Sequence, residues 1–184
     1  MAVPCLDRDH FDFEQFVKAK MNLPSDCILS AEWCFCGRGI PLLYEFLLNK
    51  QGRKLEKQLD GEEVFLSIDS DPIAKQTFHR FLFMLGAQLM GNSAALQPDD
   101  GLILCGNILI SVLDKLKEDM LDASISHFYK GFMSNPPLNS YLETVPIYFT
   151  GETDLGIKGC LVGIYYFSIT WKKLEINRNY TCRG

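Results

Sequence analysis

The sequence predicts an α/β fold in which a mostly parallel sheet is packed by helices. Two short apolar runs, Leu102 to Cys105 and Val145 to Thr150, are typical of buried strands. The residues between them have helical spacing, and strands joined by a long helical connection pair in parallel. Because parallel strands are usually covered on both sides, we expect both faces of this sheet to be buried.

Helices are predicted before the sheet. Asp12 to Met21 carries apolar side chains near helical spacing, and the breaker Asn22 to Asp26 ends that helix. Ser30 to Trp33 has the pattern of a capped helical turn. Cys36 to Gly39 is a glycine turn, and the apolar positions of Ile40 to Asn49 predict the helix that follows it.

The middle of the chain combines a charged segment with a long helix. Gln51 to Glu63 is charged and dotted with glycine, which predicts a solvated and mobile connection. Asp69 to Pro72 places capping residues before a proline, so we expect a helix from there to about Leu96. Small residues fill its second half, GAQLMGNSAAL, and let a neighbouring element approach closely. We therefore expect that half to be a buried contact.

Further helices are predicted around the second strand. Apolar spacing after Asn107 indicates one helix, and a second helical piece is expected from about Leu121 to Phe132. After the second strand, a helix start at Asp154 continues to about Phe167. Residues 168–184 alternate only weakly, which suits a loose strand or a disordered end.

Composition excludes several classes of function. The 184 residues are 47% hydrophobic, enough for a single core, and the net charge of −5 comes without a basic stripe, so no nucleic acid partner is expected. The N-terminus lacks the pattern of a signal peptide and no stretch is long enough to span a membrane. We expect a cytoplasmic protein, and the odd count of seven cysteines fits reduced thiols.

Metal ligands and acid–base pairs are not indicated. Cys34 and Cys36 stand one residue apart without a second pair at zinc-site spacing, and the three histidines are scattered. The acids at 69–71 and 99–100 occur at turns or helix starts, where acids are favoured for local reasons. We predict no metal site and assign no catalytic residue.

Four stretches, in this order, carry a family resemblance: SAEWCFCGRGIPLLYEFL, GAQLMGNSAAL, GLILCGNIL and VPIYFTGETDLGIKGCLVGIYY. They resemble the Ser-Ala-Glu and glycine turn, the small-residue helix, the strand ending in Gly-Gly-Ile, and the closing strand, turn and helix of bacterial-type glucokinases. One such motif is weak evidence. The ordered set covers most of Ser30 to Tyr166 and resembles the C-terminal part of that family.

The resemblance implies a fold and a reaction. It implies an actin-like ATPase (ribonuclease H-like) lobe over residues 1–167, with an unmatched tail at 168–184. It also implies phosphoryl transfer from ATP with Mg²⁺ to the 6-hydroxyl of glucose or another hexose. The partners implied are the hexose, ATP or ADP, and either a missing N-terminal lobe or a second copy in a homodimer.

The resemblance also implies site residues. Glu32 would accept hydrogen bonds from sugar hydroxyls, since a carboxylate can accept from two adjacent donors. Gly37, Gly39, Gly106 and Asn107 would line the adenosine side of a nucleotide cleft, where glycine lets the backbone approach a ligand. The alternative is structural: Glu32 as a partner of a helix start, and the others as turn residues.

Departures from the family pattern limit these expectations. Cys36 replaces a serine, Arg38 and Ile40 lie in the glycine turn, and Asn107 replaces a glycine and adds a side chain there. We find no Asp-x-Gly-Gly-Thr hairpin, catalytic Asp after an Asn, second phosphate loop or Glu-Gly-Gly-His segment. We therefore expect the chain alone to be inactive. The alternative is a non-catalytic protein of sugar-kinase descent that senses a ligand or binds a partner.

Overall fold

The computed structural model describes residues 7–30, 33, 37–98, 100–106, 118–150 and 158. Its helices are, in chain order, α1 (Arg8–Lys20), α2 (Gly39–Lys50), α3 (Gly61–Leu66), α4 (Pro72–Leu96), α5 (Glu118–Phe132) and α6 (Asn139–Leu142), the last preceded by a 3₁₀ turn (Pro136–Leu138). The strands are β1 (Leu102–Leu104) and β2 (Ile147–Phe149). The helices predicted after Asn107 and from Asp154, and the tail 168–184, lie outside the described residues.

The two strands form a parallel pair, as predicted from the helical connection between them. Leu102 lies opposite Ile147 in the register. The N–H of Leu102 donates to the carbonyl of Pro146 at 2.9 Å, and the N–H of Thr150 donates to the carbonyl of Leu104 at 3.0 Å. The carboxyl ends of both strands therefore meet at one edge of the sheet.

The expectation that both faces of the sheet are buried is wrong. Leu102 and Leu104 pack against the core on the side of α5, whereas Ile103 points to the opposite face, where Tyr148 is its neighbour in the register. Ile103 is 66% exposed and Tyr148 is 54% exposed. An apolar run predicts a strand, but it does not show what covers each face of that strand.

The start of α4 follows from local chemistry that the sequence makes visible. The side chain of Asp71 caps the helix by accepting from the N–H of Ile73 at 2.8 Å, and Pro72 occupies the first turn. The predicted limits, Pro72 and about Leu96, are confirmed. Predictions for α1, α2 and α5 hold within a few residues, with α1 beginning earlier than expected.

The charged connection before α4 is partly helical, which corrects the prediction of a solvated connection through Glu63. Asp60 accepts from the N–H of Glu63 at 2.8 Å, and the Glu63 carboxylate accepts from the N–H of Asp60 at 2.9 Å. This reciprocal capping box starts α3. Val64 and Phe65 then bury their side chains in the core.

Helices α4 and α5 pack with their backbones in close contact, as the small residues of α4 predict. A methyl group added to Gly86 of α4 would overlap the carbonyl oxygen of Phe128, and one added to Gly131 of α5 would overlap that of Phe83. Gly91, five residues further along α4, faces open space. The close contact is therefore local to Gly86 and Gly131.

The residue that caps α4 also forms a hydrogen bond to α2, so its substitution should destabilise the protein. The hydroxyl of Tyr44 donates to the Asp71 carboxylate at 2.6 Å. Asp71→Ala removes both the cap and the partner of Tyr44, so the free energy of unfolding should fall by about 1–2 kcal/mol in urea unfolding. Asp71→Asn keeps a capping oxygen and should cost less. Equal unfolding midpoints for wild type and Asp71→Ala would contradict this assignment.

Within the described part of the chain, every helix is too short or too polar to cross a lipid bilayer.

Candidate functional site

The first part of the candidate site is the turn at the carboxyl edge of the sheet. Gly106 follows β1 with φ of +156°, a conformation that residues with side chains rarely adopt, and a methyl group added there would meet no atom within 4 Å. The backbone of this turn is therefore accessible to a ligand at Gly106. Ligands of α/β sheets bind at this edge, beyond the carboxyl ends of the strands. Asn107 lies outside the described residues, and its role stays a prediction.

The second part is the glycine turn at the N-terminus of α2. Gly37 is exposed, Gly39 is the buried first residue of the helix, and Arg38 takes the cap position without a side-chain cap hydrogen bond. The first turn also lacks an acidic residue. The turn is braced by α3, because a methyl group added to Gly61 would lie 3.1 Å from the carbonyl oxygen of Gly37. Among the described residues, neither the cap position nor the first turn of α2 thus offers its first N–H groups a side-chain acceptor.

A cavity of about 540 Å³ lies beside this glycine turn, between the end of α1 and the starts of α2 and α3. Trp33 contributes an aromatic side chain to its lining, next to Gly37 and Arg38. The residues that the structure describes give the guanidinium of Arg38 no ion pair. An aromatic side chain and a cation without an ion pair among the described residues, both lining one cavity, suit a planar ligand that carries negative charge.

The carboxylates of the same cavity are already engaged. Glu45 forms an ion pair with Lys20 across the gap between α2 and α1. Glu63 accepts from the Nζ of Lys57 at 3.0 Å and takes part in the capping box of α3. Because these acids have partners, they are poor candidates for a catalytic base or a metal ligand.

Tyr44 also lines the cavity, and its surroundings keep it neutral. Burial, together with the hydrogen bond to the Asp71 carboxylate, raises the pKa of Tyr44 to about 12. At neutral pH this hydroxyl is protonated and donates its hydrogen bond to Asp71. It therefore fixes the wall of the cavity and does not act as a base.

The structure brings together some of the predicted site residues. Gly37 and Gly39 share one turn, whereas Gly106 belongs to the sheet edge and is not among the residues that line the cavity. Glu32 lies outside the described residues, so its contact with a sugar stays a prediction. Trp33 and Arg38 were not predicted as lining residues, although an aromatic and a basic residue beside a glycine turn were visible in the sequence.

No group of three His, Cys, Asp or Glu side chains that could hold a metal ion occurs in the described part of the chain. Cys34 and Cys36 lie outside it.

Comparison with known sequences matches most of the chain to one family. A sequence model described as Glucokinase matches residues 9–165. The glucokinase of Neisseria meningitidis is 29% identical over 137 residues, which are 74% of this chain and 40% of that relative. The glucokinase of Helicobacter pylori is 25% identical over 157 residues, 82% of this chain and 43% of that relative. The chain therefore spans less than half the length of these curated relatives.

Solved structures show the same fold. The structure of a glucokinase from an Antarctic psychrotroph superposes with a TM-score of 0.69 at 18% identity, covering 84% of this chain and 44% of its own. A glucokinase from Balamuthia mandrillaris in complex with glucose superposes with a TM-score of 0.66 at 15% identity, covering 83% and 41%. These neighbours confirm the prediction of an α/β lobe with the actin-like ATPase fold.

Proposed function

The chain belongs to the glucokinase family, and from that premise we propose that it forms one lobe of an ATP-dependent hexose kinase. The observation that carries the proposal is the family match over residues 9–165. The proposed reaction is transfer of the γ-phosphoryl group of ATP to the 6-hydroxyl of glucose, which yields glucose 6-phosphate and ADP. In this role the protein would work in the cytoplasm at the entry to glycolysis.

On the sugar side, the proposed contact is Glu32. Its carboxylate would accept hydrogen bonds from two hydroxyl groups and so orient the hexose for attack. The match to the family's Ser-Ala-Glu segment supports this role. The general base and the phosphate loops would come from elsewhere, either a separate N-terminal lobe or a second copy, so we propose that this chain alone turns over no substrate.

On the nucleotide side, the proposed contacts are backbone groups. Gly37, Gly39 and Gly106 would lie against the adenosine, and the side chain of Asn107 would partly fill the space that a second glycine leaves open. The aromatic and basic lining of the cavity beside Gly37 supports a nucleotide as the ligand. The described residues offer no carboxylate cluster for Mg²⁺, so we do not propose that they hold the ion.

A fusion protein tests the proposed function. The full chain replaces the matched segment of the Neisseria meningitidis relative, and glucose 6-phosphate formation is measured in a coupled assay. We expect the fusion to phosphorylate glucose, and Glu32→Gln to lower kcat/KM for glucose about 5- to 150-fold, as for loss of a charged hydrogen bond. Glu56→Gln, at an exposed glutamate of the connection, is the matched control and should change nothing.

Two results would count against the proposal. A folded fusion that binds neither glucose nor ADP would refute the proposal that this chain forms one lobe of a hexose kinase. A folded fusion that binds both without turnover would favour the second candidate, a non-catalytic ligand sensor, which the side chain introduced at Asn107 favours.

A further inference from the structure

Two histidines from different helices stack face to face. His79 of α4 and His127 of α5 have ring centroids 4.1 Å apart and ring planes inclined by 15°. Both side chains are half-buried, and among the described residues Nε2 of His79 is buried without a hydrogen-bond partner. Two uncharged imidazoles tolerate this arrangement. Two imidazolium ions would repel each other at this distance, and the buried edge of His79 could not be solvated.

The charged groups on α4 and α5 do not help the rings to hold a proton. Lys75 on α4 and Lys130 on α5 are cations close enough to oppose protonation. Arg80 of α4 lines the small cavity beside the rings, but its guanidinium forms an ion pair with Asp7. The side chains of these two helices that act electrostatically on the rings, Lys75 and Lys130, are thus both cations.

The elements on the other side of the rings do not compensate. Asp9 of α1 lines the same small cavity, but its carboxylate pairs with Nζ of Lys50 of α2 at 2.6 Å. The remaining α2 side chains at the cavity, Phe46 and Leu47, are apolar. No carboxylate among these groups is therefore left to stabilise a charged imidazole.

We propose that the stacked imidazoles of His79 and His127 form an acid-sensitive latch that holds α5 on α4. When His79 takes up a proton, its buried Nε2 carries an N–H that has no acceptor among the described residues, so the stack separates and this part of α5 moves away from α4. A cavity of about 270 Å³ beside the rings gives a protonated imidazole room to turn towards water. Because α5 leads through α6 into β2, release of the latch loosens the segment that delivers β2 to the sheet.

The direction and size of the response follow from linkage. Burial first, and then the charges of His127 and the nearby lysines, lowers the pKa of His79 from 6.5 to about 4 in the closed stack. Burial likewise lowers the pKa of His127. In the open state the ring is solvated, and its pKa returns to about 6.5. The open state thus binds more protons between these values, and lowering the pH from 7 to 5 should raise its population about 20-fold.

Hydrogen exchange of the full chain tests the latch. After correction for the intrinsic pH dependence of exchange, the amides of α5 should become about 20-fold less protected at pH 5 than at pH 7. The amides of α1 and α2 should change much less. In the double variant His79→Phe, His127→Phe, which keeps two stacked rings but cannot be protonated, the response of α5 should vanish. His79→Gln removes one titrating ring without adding bulk and should weaken the response.

A charge variant gives an independent check. Lys130→Gln removes a cation that opposes protonation, so α5 should be released at a higher pH than in wild type. Lys54→Gln, at an exposed lysine away from the rings, should leave the release pH unchanged. The latch is refuted if α5 keeps its protection at pH 5, if α1, α2 and α5 lose protection together, or if the response survives in the double phenylalanine variant.

Discussion

Gly131→Ala is expected to lower the free energy of unfolding by about 3 kcal/mol or more. The added methyl group would overlap the carbonyl oxygen of Phe83, and because that atom belongs to the backbone of α4 it cannot rotate aside. The two helices would have to separate, which would open the packing around the buried Phe128 and Phe132. Gly86→Ala should act in the same way from the opposite helix.

Gly91→Ala is the matched control for both glycine variants. Gly91 also lies within α4, but a methyl group added there meets no atom within 4 Å. Alanine favours a helix over glycine by about 1 kcal/mol, so this variant should be slightly more stable than wild type. Urea unfolding of the three variants decides the matter. Similar midpoints for Gly131→Ala and Gly91→Ala would mean that the helices are not in backbone contact.

Gly101→Ala is expected to have the next largest effect, a loss of about 2–4 kcal/mol. Gly101 precedes β1 with φ of +103°, and an added methyl group would lie 2.5 Å from the carbonyl oxygen of Pro146. That oxygen accepts the N–H of Leu102 in the first hydrogen bond between the strands. Alanine should therefore separate β1 from β2 and increase the exchange rate of the Leu102 amide.

Gly52→Ala separates the clash from the backbone strain. Gly52 has φ of +71° but open space around it, so alanine there should cost only the left-handed backbone penalty of about 1–2 kcal/mol. The excess loss in Gly101→Ala then reports the contact with Pro146 together with the extra backbone strain of its larger φ. If the two variants lose the same free energy of unfolding, neither the contact with Pro146 nor the larger φ of Gly101 contributes.

Local chemistry explains which parts of the fold the sequence could predict. Asp71 and Pro72 fix the start of α4 within the chain itself, and the length of the connection between the two strands requires parallel pairing. The start of α3 could also have been predicted, because Asp60 and Glu63 have the spacing of a capping box. The charged residues around them instead favoured the prediction of an irregular connection. A capping box therefore predicts a helix start more reliably than the charged composition of the segment predicts a loop.

Features that depend on contacts between distant segments could not be predicted from local sequence patterns. The exposure of Ile103 depends on what covers the sheet, and the stack of His79 on His127 joins helices that are far apart in the sequence. The cavity lined by Trp33 likewise forms only where three helices meet. Of the predicted site, the structure places Gly37 and Gly106 in exposed positions and Gly39 as the buried first residue of α2, while the role of Glu32 continues to rest on family resemblance.

The uncovered face of the sheet affects the colloidal behaviour of the protein. Ile103 and Tyr148 lie side by side across the two strands and form an apolar stripe that can adhere to the same stripe on another molecule. The net charge of −5 keeps molecules apart at low ionic strength. Salt at physiological concentration limits that repulsion to about 8 Å. The highest concentration at which the protein remains dispersed should therefore fall as salt is added.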